Sequence, residues 1–274
     1  MTPLFRIAPT PSGYLHIGNA MSFVYTAKLA KDAKAGLLLR IDDMDSERTR
    51  PAYVQDIFDT LQFLQLHPDS GPANAEELKT KYTQQKRIPL YEKALQQLIT
   101  TGLVYACSCS RKTLEQQHGR CNCNGAAATL AEKDMALRIK VQTGTTIHFT
   151  DALQGAVTID LYKTAGSFVV RRKDGIPAYQ LVSLCDDIFF GVTHIVRGQD
   201  LLHSTAMQLY LAELLQYNTF VNTIFYHHPV ITGHTGEKLS KSAGATSIRE
   251  MSRHQTPQEV LATINRLLKE NGLL

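Results

Sequence analysis

One segment near the N-terminus has residue types that suit the binding of an anion. Residues 9–20 read PTPSGYLHIGNA and lie between an apolar stretch and a helical pattern at 19–35. Backbone N–H groups and the positive end of a helix dipole meet at such a junction. Gly18 allows a close backbone approach, and His16 adds a donor that can reach a phosphate oxygen. Taken alone, the segment predicts either a phosphate site or an ordinary loop with a surface histidine.

A second segment with suitable chemistry lies near the C-terminus. Residues 237–242 read EKLSKS and are followed by Ala-Gly-Ala. Lys238 and Lys241 supply two positive charges, and Ser240 adds a hydroxyl, which suits a loop that closes over a polyphosphate. A solvated basic loop is the alternative for this segment in isolation. We expect the lysines and His16 to converge on one nucleoside triphosphate.

Acidic residues follow the second buried strand. Residues 36–42 form a nearly continuous apolar run, typical of a buried parallel strand, and end at Asp42. With the strand predicted at 4–8 and the helix between them, they indicate a βαβ unit, whose ligands bind beyond the carboxyl ends of the strands. Asp42 is therefore expected at the same edge as His16, where it can hold a substrate ammonium group. Helix capping or loop solvation is the alternative.

Arg197 follows a later short strand, predicted at 193–196. Its planar guanidinium can bind both oxygens of a substrate carboxylate. A salt bridge to Asp186, Asp187 or Asp200 is an equally good role for it on local grounds.

Four of the five cysteines form two C-x-C pairs separated by eleven residues. They are Cys107, Cys109, Cys121 and Cys123. Four thiolates can hold one tetrahedral zinc ion, and sulfur ligands favour zinc over magnesium or calcium. With all four positions filled, the zinc would be structural. His118 is a possible substitute ligand, and free thiols in a loop are the alternative.

Composition describes a protein with enough apolar material for a core and a basic net charge. The 274 residues are 43% hydrophobic and 20% charged, and the net charge of +4 fits a nucleic-acid partner without requiring one. No apolar run approaches membrane-spanning length, and the N-terminus lacks a signal-peptide pattern. The clustered cysteines suggest metal binding rather than disulfides. We therefore expect a cytoplasmic protein with no membrane partner.

Periodicity predicts helices, a parallel sheet and a small antiparallel sheet. The helices are predicted at 19–35, 52–66, 86–101, 177–190, 201–216 and 257–271. The antiparallel sheet is predicted to contain residues 136–142, 146–150 and 155–161. A buried strand is expected to begin at Phe168, and Cys185 is expected in the core of its helix. The predicted domains are 1–75 and 166–228 for two halves of a parallel-sheet domain, 76–165 for an insertion, and 229–274 for the lysine loop and C-terminal helical segment.

Five segments together resemble the glutamyl class I aminoacyl-tRNA synthetases. They begin at Arg6 (RIAPTPSGYLHIG), Leu39 (LRIDDMD), Asp186 (DDI), Gly191 (GVTHIVRGQD) and Lys238 (KLSKS). The first and the last are similar to the HIGH and KMSKS signatures of class I synthetases. A full glutamyl-tRNA synthetase continues into a large anticodon-binding region, and we expect this protein to lack that region. The resemblance is therefore closest to the subgroup of glutamyl-queuosine tRNA(Asp) synthetases, which are stand-alone catalytic paralogues.

The resemblance implies an α/β fold in which a Rossmann-type parallel sheet is split by an inserted zinc-containing α+β domain and followed by a short C-terminal helical segment. The implied activity is tRNA-independent activation of L-glutamate with ATP and Mg²⁺. The glutamyl group would then be transferred to the queuosine base in the anticodon of tRNA(Asp). L-glutamate, ATP and queuosine-carrying tRNA(Asp) are thus the implied partners, with one structural Zn²⁺ per chain. A monomer is expected.

The resemblance also implies roles for individual residues. The implied L-glutamate site comprises Arg6, Ile7, Ala8, Pro9, Thr10, Asp42, Tyr179 and Arg197. The implied ATP site comprises His16, Gly18, Ser240 and Lys241, and the implied catalytic groups are His16, Lys238 and Lys241. Adenylation needs an in-line attack by a carboxylate on the α-phosphate. A helix N-terminus, a histidine and lysines can stabilise the charge that builds up on pyrophosphate.

Three positions depart from the family pattern. Asn19 replaces the last histidine of the HIGH signature, Asp42 replaces the usual glutamate, and Cys121 stands where relatives often have a tyrosine zinc ligand. Three rival functions also stay open. They are a truncated glutamyl-tRNA synthetase that charges the tRNA 3′ end, a catalytically silent tRNA-binding paralogue, and an adenylyltransferase that makes a small cofactor.

Overall fold

The computed structural model of this chain describes residues 2–116, 121, 123, 129, 131, 133–230 and 247–274. Its strands are β1 (Leu4–Ile7), β2 (Gly36–Leu39), β3 (Val104–Cys107), β4 (Ala136–Ile139), β5 (Thr146–Asp151), β6 (Gly155–Asp160), β7 (Phe168–Arg171), β8 (His194–Gly198) and β9 (Ile224–His228). Its α-helices are α1 (Ile17–Asp32), α2 (Pro51–Phe63), α3 (Ala75–Glu77), α4 (Ile88–Thr100), α5 (Arg111–Gln116), α6 (Leu161–Thr164), α7 (Tyr179–Phe189), α8 (Leu202–Leu214), α9 (Asn218–Val221), α10 (Ile248–Met251) and α11 (Pro257–Glu270).

The chain divides into two compact units. The first comprises Met1–Lys86, Val192–Asp200 and Ile224–Leu274. The second comprises Arg87–Gly191 and Leu201–Thr223.

The first unit contains parallel strands in the order β2-β1-β8-β9. Leu4 pairs with Gly36, and Phe5 pairs with His194. The strands are short apolar runs whose side chains are mostly buried, as expected for a parallel sheet that is covered by helices. Helix α1 packs on β1 and β2, so the carboxyl ends of the strands and the start of α1 lie at one edge of the sheet.

Helix α11 packs against α1 and helps to hold it on the sheet. A capping box fixes its first turn, because Thr256 N–H donates to Glu259 Oε2 at 2.7 Å and Glu259 N–H donates to Thr256 Oγ1 at 3.3 Å. Four of its apolar residues recur at helical spacing and are buried: Val260, Ile264, Leu267 and Leu268. The C-terminal helix thus supports the helix that begins beside His16.

The second unit contains an antiparallel sheet in the order β3-β4-β7 and the antiparallel strand pair β5-β6. Its buried helices include a polar cluster. The Arg87 guanidinium donates to both oxygens of Asp186 at 2.7 and 3.0 Å, and the Tyr91 hydroxyl donates to the same carboxylate at 2.7 Å. Burial, reinforced by the Asp186 charge, raises the pKa of Tyr91, so its hydroxyl remains protonated as a donor. Cys185 is buried as predicted.

The predicted helices and the parallel sheet are confirmed, with helix ends that fall within three residues of the expected positions. The predicted single antiparallel sheet is wrong. Strand β4 pairs with β3 and β7, whereas β5 and β6 pair only with each other within the second unit. The strand at Phe168 is expected in the parallel-sheet domain but pairs antiparallel with β4. Alternation shows which face of a strand is buried, but it does not select the partner strand.

The four-part domain division remains a prediction. By density of contacts, residues 166–191 and 201–223 group with the segment that is expected to be the insertion. In the described part of the chain, no helix combines the length and apolar composition needed to cross a membrane.

Candidate functional site

The carboxyl ends of three parallel strands gather most of the residues expected to bind glutamate. Arg40 N–H donates to the Ile7 carbonyl at 2.9 Å, and Asp42 N–H donates to the Pro9 carbonyl at 2.9 Å. The segment after β2 therefore lies alongside the segment after β1. Arg6 Nη1 donates to the Val196 carbonyl at 3.2 Å, which ties the first segment to β8 as well. In this way residues 6–10, Asp42 and the residue that follows Val196 come together within the first unit.

Asp42 is buried and hydrogen-bonded to a buried arginine. Arg40 Nε donates to Asp42 Oδ1 at 2.8 Å, and Arg40 Nη2 donates to Asp42 Oδ2 at 3.0 Å. Gln84 Nε2 donates to Asp42 Oδ1 at 3.4 Å. This bidentate pairing compensates the carboxylate charge and fixes the plane of the group. A carboxylate has about four lone-pair sites, so it can also accept from an ammonium group.

Gln84 also forms hydrogen bonds with the two residues that follow Asp42. Its backbone N–H donates to Asp43 Oδ1 at 2.7 Å, and its side-chain Oε1 accepts from the Met44 N–H at 2.7 Å.

The backbone of Gly71 packs closely against the end of β2. Its φ is +102°, and a Cβ there would lie 2.0 Å from the Leu39 carbonyl oxygen, so only glycine fits.

Sequence reasoning missed Arg40 and Gln84. Arg40 leaves a signal, because residues two apart on an extended chain point to the same side, and Asp42 is two residues further on. Gln84 leaves none, because it is 42 residues away from Asp42 in the chain.

Arg197 is buried, with its guanidinium carbon 5.7 Å from the centre of the Phe225 ring. One of its three possible carboxylate partners, Asp186, is engaged by Arg87 and Tyr91 in the second unit. Tyr179 also belongs to the second unit. It is the first residue of α7 and is 43% exposed.

His16 is the N-cap residue of α1, with extended backbone angles. Its Nδ1 accepts a hydrogen bond from the Gly18 N–H at 3.1 Å, and its own N–H donates to Asn19 Oδ1 at 3.2 Å. Because Nδ1 accepts, the proton of the neutral imidazole lies on Nε2, and the ring is a donor on that side. The replacement of histidine by Asn19 thus supplies the second half of a capping box.

The described residues that begin at Ser247 lie beside His16. Ser247 forms an antiparallel bridge with His16, and the Ile248 N–H donates to the Leu15 carbonyl at 2.8 Å. Ser247 then caps α10 through a hydrogen bond from the Glu250 N–H at 3.1 Å. Lys238, Ser240 and Lys241 lie outside the described residues.

A buried histidine marks the carboxyl end of β9. His228 Nε2 lies 3.3 Å from Ser22 Oγ, and its Nδ1 lies 2.9 Å from the Pro229 carbonyl. Burial lowers the pKa of His228, which favours the neutral ring, although the carbonyl and Asp200 act in the opposite direction. The end of β9 is therefore tied to α1.

The four clustered cysteines meet at one point in the second unit. The sulfur of Cys107 lies 3.2 Å from that of Cys121, and the sulfur of Cys109 lies 3.7 Å from Cys121 and 3.5 Å from Cys123. All four sulfurs lie within 4.8 Å of one another. A regular tetrahedron of thiolates around zinc, with bonds of about 2.3 Å, places its sulfurs about 3.8 Å apart. The cluster therefore fits a metal ion. His118 lies outside the described residues.

The thiols of the cluster differ in acidity. Burial, with a hydrogen bond to Cys121, raises the pKa of Cys107 to about 12. Burial acts in the same direction on Cys121, but hydrogen bonds from the Cys123 N–H and from Cys107 outweigh it and lower the pKa of Cys121 to about 7. Metal binding would deprotonate all of them and release protons.

The chain is similar to a known protein family and to several known proteins. Residues 4–270 match the family described as tRNA synthetases class I (E and Q), catalytic domain. A glutamyl-Q tRNA(Asp) synthetase of Pseudomonas aeruginosa is 39% identical over 237 residues, which cover 86% of this chain and 76% of that protein. A glutamate–tRNA ligase of Sulfurihydrogenibium is 34% identical over 263 residues, which cover 90% of this chain and 54% of that protein. The chain thus spans about half the length of that ligase.

Among solved structures, the glutamate-tRNA synthetase from Elizabethkingia anophelis has a TM-score of 0.73 to this chain. The match covers 93% of this chain and 54% of that protein at 23% sequence identity. At this level of identity the likeness concerns the fold, and it confirms the α/β class I synthetase architecture that the sequence predicts.

Proposed function

The chain belongs to the family of class I tRNA synthetase catalytic domains for E and Q, and on that premise we propose that it activates L-glutamate with ATP and glutamylates the queuosine base of tRNA(Asp). The observation that carries the proposal is the bridge between His16 and Ser247. It anchors the chain immediately after the lysine segment at the N-terminus of α1. The relatives named glutamyl-Q tRNA(Asp) synthetase, 37–39% identical to this chain, support the choice of tRNA.

The ATP site is built from the His16 loop and the segment that precedes Ser247. Lys241 is six residues before Ser247, which puts it within roughly 20 Å of that residue along an extended chain. The segment starts after β9, whose end is tied to α1 through His228 and Ser22. Since both flanks are attached around α1, Lys238, Ser240 and Lys241 can reach a triphosphate at the helix N-terminus.

His16 and the start of α1 bind the phosphates. The Nε2–H of the imidazole is a hydrogen-bond donor, and Gly18 leaves room for a phosphate oxygen close to the backbone. The positive end of the α1 dipole adds to the stabilisation. We assign Lys241, Ser240 and Lys238 to the binding of the departing pyrophosphate.

L-glutamate binds at the carboxyl ends of β1, β2 and β8, where residues 6–10, Asp42 and Arg197 are assembled. Asp42 accepts from the substrate ammonium group while Arg40 holds its plane. Arg197 binds a substrate carboxylate through its guanidinium, and its burial strengthens that electrostatic interaction. Tyr179, which belongs to the second unit, is the remaining residue that the family resemblance assigns to glutamate.

The chemistry needs no covalent nucleophile on the protein. A carboxylate oxygen of glutamate attacks the α-phosphorus of ATP, and the bond to the β-phosphate oxygen breaks, so pyrophosphate leaves with the electron pair. His16 and the lysines stabilise the negative charge that develops on the phosphates. A nucleophile on the queuosine base then attacks the activated carbonyl carbon, and AMP leaves.

Two metal ions have separate roles in the proposal. Mg²⁺ accompanies ATP as part of the substrate. A Zn²⁺ ion bound by Cys107, Cys109, Cys121 and Cys123 is structural, because four thiolates leave no open coordination position. Sulfur ligands without a carboxylate favour zinc over harder ions. We place this activity in a cytoplasmic monomer.

A second candidate is charging of the 3′ end of tRNA(Glu). It is favoured by the glutamate–tRNA ligase of Sulfurihydrogenibium, which is 34% identical to this chain. The two functions share the activation of glutamate and differ only in the acceptor.

Two assays separate these possibilities. ATP–pyrophosphate exchange with L-glutamate and no tRNA should proceed with the wild-type protein. Radiolabelled glutamate should then be transferred to tRNA(Asp) with queuosine and not to tRNA(Asp) with unmodified guanine. Label on tRNA(Glu) would select the second candidate, and absence of exchange would refute activation without tRNA.

The lysine segment is tested by one substitution and a matched control. Lys241→Ala should lower the exchange rate about 100-fold or more, because it removes a charge from the leaving phosphates. Lys31→Ala removes the same charge from an exposed position in the last turn of α1 and should leave exchange unchanged. Equal rates for the two variants would contradict the role of Lys241.

A further inference from the structure

Two tyrosines and two arginines form a stacked cluster on the surface of the first unit. The rings of Tyr14 and Tyr53 meet edge to face, with centres 5.1 Å apart. The guanidinium carbon of Arg249 lies 5.0 Å from the centre of the Tyr14 ring, and that of Arg50 lies 5.7 Å from the centre of the Tyr53 ring. Arg249 Nη1 also donates to the Tyr14 hydroxyl at 2.9 Å. We call these four residues the Arg–Tyr surface.

Each member of the Arg–Tyr surface comes from a segment with a fixed position. Tyr14 lies in the loop before α1, Arg50 is the N-cap residue of α2, Tyr53 lies in the first turn of α2, and Arg249 lies in α10. Helix α10 contacts α2. The surface borders the proposed ATP site, because Tyr14 is two residues before His16 and Arg249 is two residues after Ser247, which bridges His16.

The cluster is exposed and positively charged. Tyr14 is 37% exposed, and both arginines are exposed. The nearby cations Arg48 and Arg253 are paired with Asp45 and Glu250. Among the described residues, Arg50 and Arg249 form no ion pair and lie on aromatic rings instead, so their charges are not compensated by a carboxylate.

We propose that the Arg–Tyr surface binds unpaired nucleotides of an RNA loop, next to the base that enters the active site. Aromatic rings and guanidinium planes are the groups on which unpaired bases stack, and every base has a face for such stacking. The two uncompensated guanidinium groups can also bind the phosphates that link the bases. A paired stem hides the faces of its bases, so the surface distinguishes a loop from a duplex.

The inference rests on the proposed function and deepens it. Modification of a base within an anticodon loop requires that base to leave its neighbours and enter the pocket. The neighbours then lose stacking partners. A stacking surface beside the His16 loop replaces those partners and holds the loop in place.

The test measures RNA binding apart from catalysis. A fluorescent 17-nucleotide stem-loop with the anticodon-loop sequence of tRNA(Asp) is titrated with the full-length protein and followed by anisotropy. Tyr53→Leu and Arg249→Gln should each raise the Kd about tenfold. Tyr53→Phe keeps the ring and should bind like the wild type, which separates stacking from the hydroxyl.

Two further readouts distinguish stacking from misfolding and from simple charge attraction. ATP–pyrophosphate exchange without RNA should be the same in Tyr53→Leu as in the wild type, since adenylation does not use the surface. A duplex of the same length should compete at least tenfold less well than the stem-loop. Equal competition by the duplex, unchanged Kd values for both variants, or displacement of the RNA by polyglutamate would overturn the inference. Failure of exchange in the wild type would refute the proposed function while leaving the binding result readable.

Discussion

At the scale of single residues, His16 combines an observed capping role with a proposed chemical one. Its Nδ1 accepts from the Gly18 N–H and caps α1, while Nε2 carries the proton that we assign to phosphate binding. His16→Asn should keep the cap, because asparagine is among the best N-cap residues. The free energy of unfolding should change by less than about 0.5 kcal/mol, while the exchange rate falls about 100- to 1000-fold.

The comparison variant is His16→Ala, which loses both roles. Its free energy of unfolding should be about 1 kcal/mol lower than that of the wild type. Its pyrophosphate exchange should be at least as slow as that of His16→Asn. Urea unfolding and pyrophosphate exchange measure the two effects separately. An Asn variant that is fully active would show that the ring has only the capping role.

Asp42 shows how a residue that we propose to bind substrate can also be part of the core. Asp42 and its partner Arg40 are both buried, and removal of one member of a buried ion pair typically costs about 3 kcal/mol or more. We expect Asp42→Asn to lower the free energy of unfolding by about 3 kcal/mol and to raise the KM for glutamate. The control is Asp32→Asn, which breaks an exposed pair with Lys28 and should cost about 0.5 kcal/mol or less.

Urea denaturation of the two variants checks the difference. A similarly small loss of unfolding free energy in both variants would mean that the Arg40–Asp42 pair adds no more stability than a surface pair. An unchanged KM for glutamate in Asp42→Asn would remove Asp42 from the proposed ammonium site.

At the scale of elements, α11 controls the position of α1 from outside the sheet. Ile264 is fully buried, whereas Leu261, on the same helix, is only partly buried. Ile264→Ala should destabilise the protein by about 2–5 kcal/mol, because it deletes core methyl groups and leaves a cavity. Leu261→Ala removes a similar number of atoms and should cost clearly less. Denaturant midpoints give both values, and equal losses would contradict the packing described for α11.

The elements also show what the sequence could predict. Helices such as α4 and α11 carry an apolar stripe at helical spacing, which is local information, so their existence and approximate ends follow from the sequence. The pairing of β7 with β4 could not be predicted, because the choice of partner depends on the whole unit rather than on either strand. For the same reason the Gln84 contact with Asp42 was missed.

The candidate functional residues also include some contacts that the sequence predicts and some that it does not. The cysteine spacing predicts a cluster, and the structure brings the four sulfurs together. This part is predictable because the two cysteines of each C-x-C pair are only two residues apart in the chain. The bridge between His16 and Ser247 joins residues more than 200 positions apart, and no periodicity in either segment indicates it. The resemblance to class I synthetases implies only that His16 and the lysine loop converge, and that convergence remains a prediction.

At the scale of the whole molecule, the chain passes between its two units four times, at 86–87, 191–192, 200–201 and 223–224. Neither unit is therefore a continuous segment that can be cut out. Each nevertheless contains paired strands, buried side chains and a proposed ligand. The proposed ATP residues that the structure describes and all proposed glutamate residues except Tyr179 belong to the first unit, and the proposed metal ligands belong to the second.

This division predicts a local response to loss of metal. Cys107, a proposed metal ligand, ends β3, whose only described partner strand is β4, so a chelator should weaken that pair first. We expect hydrogen exchange to become faster at Val104–Cys107 and Ala136–Ile139 and to stay unchanged at Leu4–Ile7 and in α1, since local opening follows the contacts that are lost.

The wild type should contain about one zinc per chain. The variant Cys109→Ser should contain clearly less, and the control Cys185→Ala should contain the same amount as the wild type. Equal acceleration in both units would instead show that they open as one cooperative body, and a zinc content near zero in the wild type would remove the metal from the second unit.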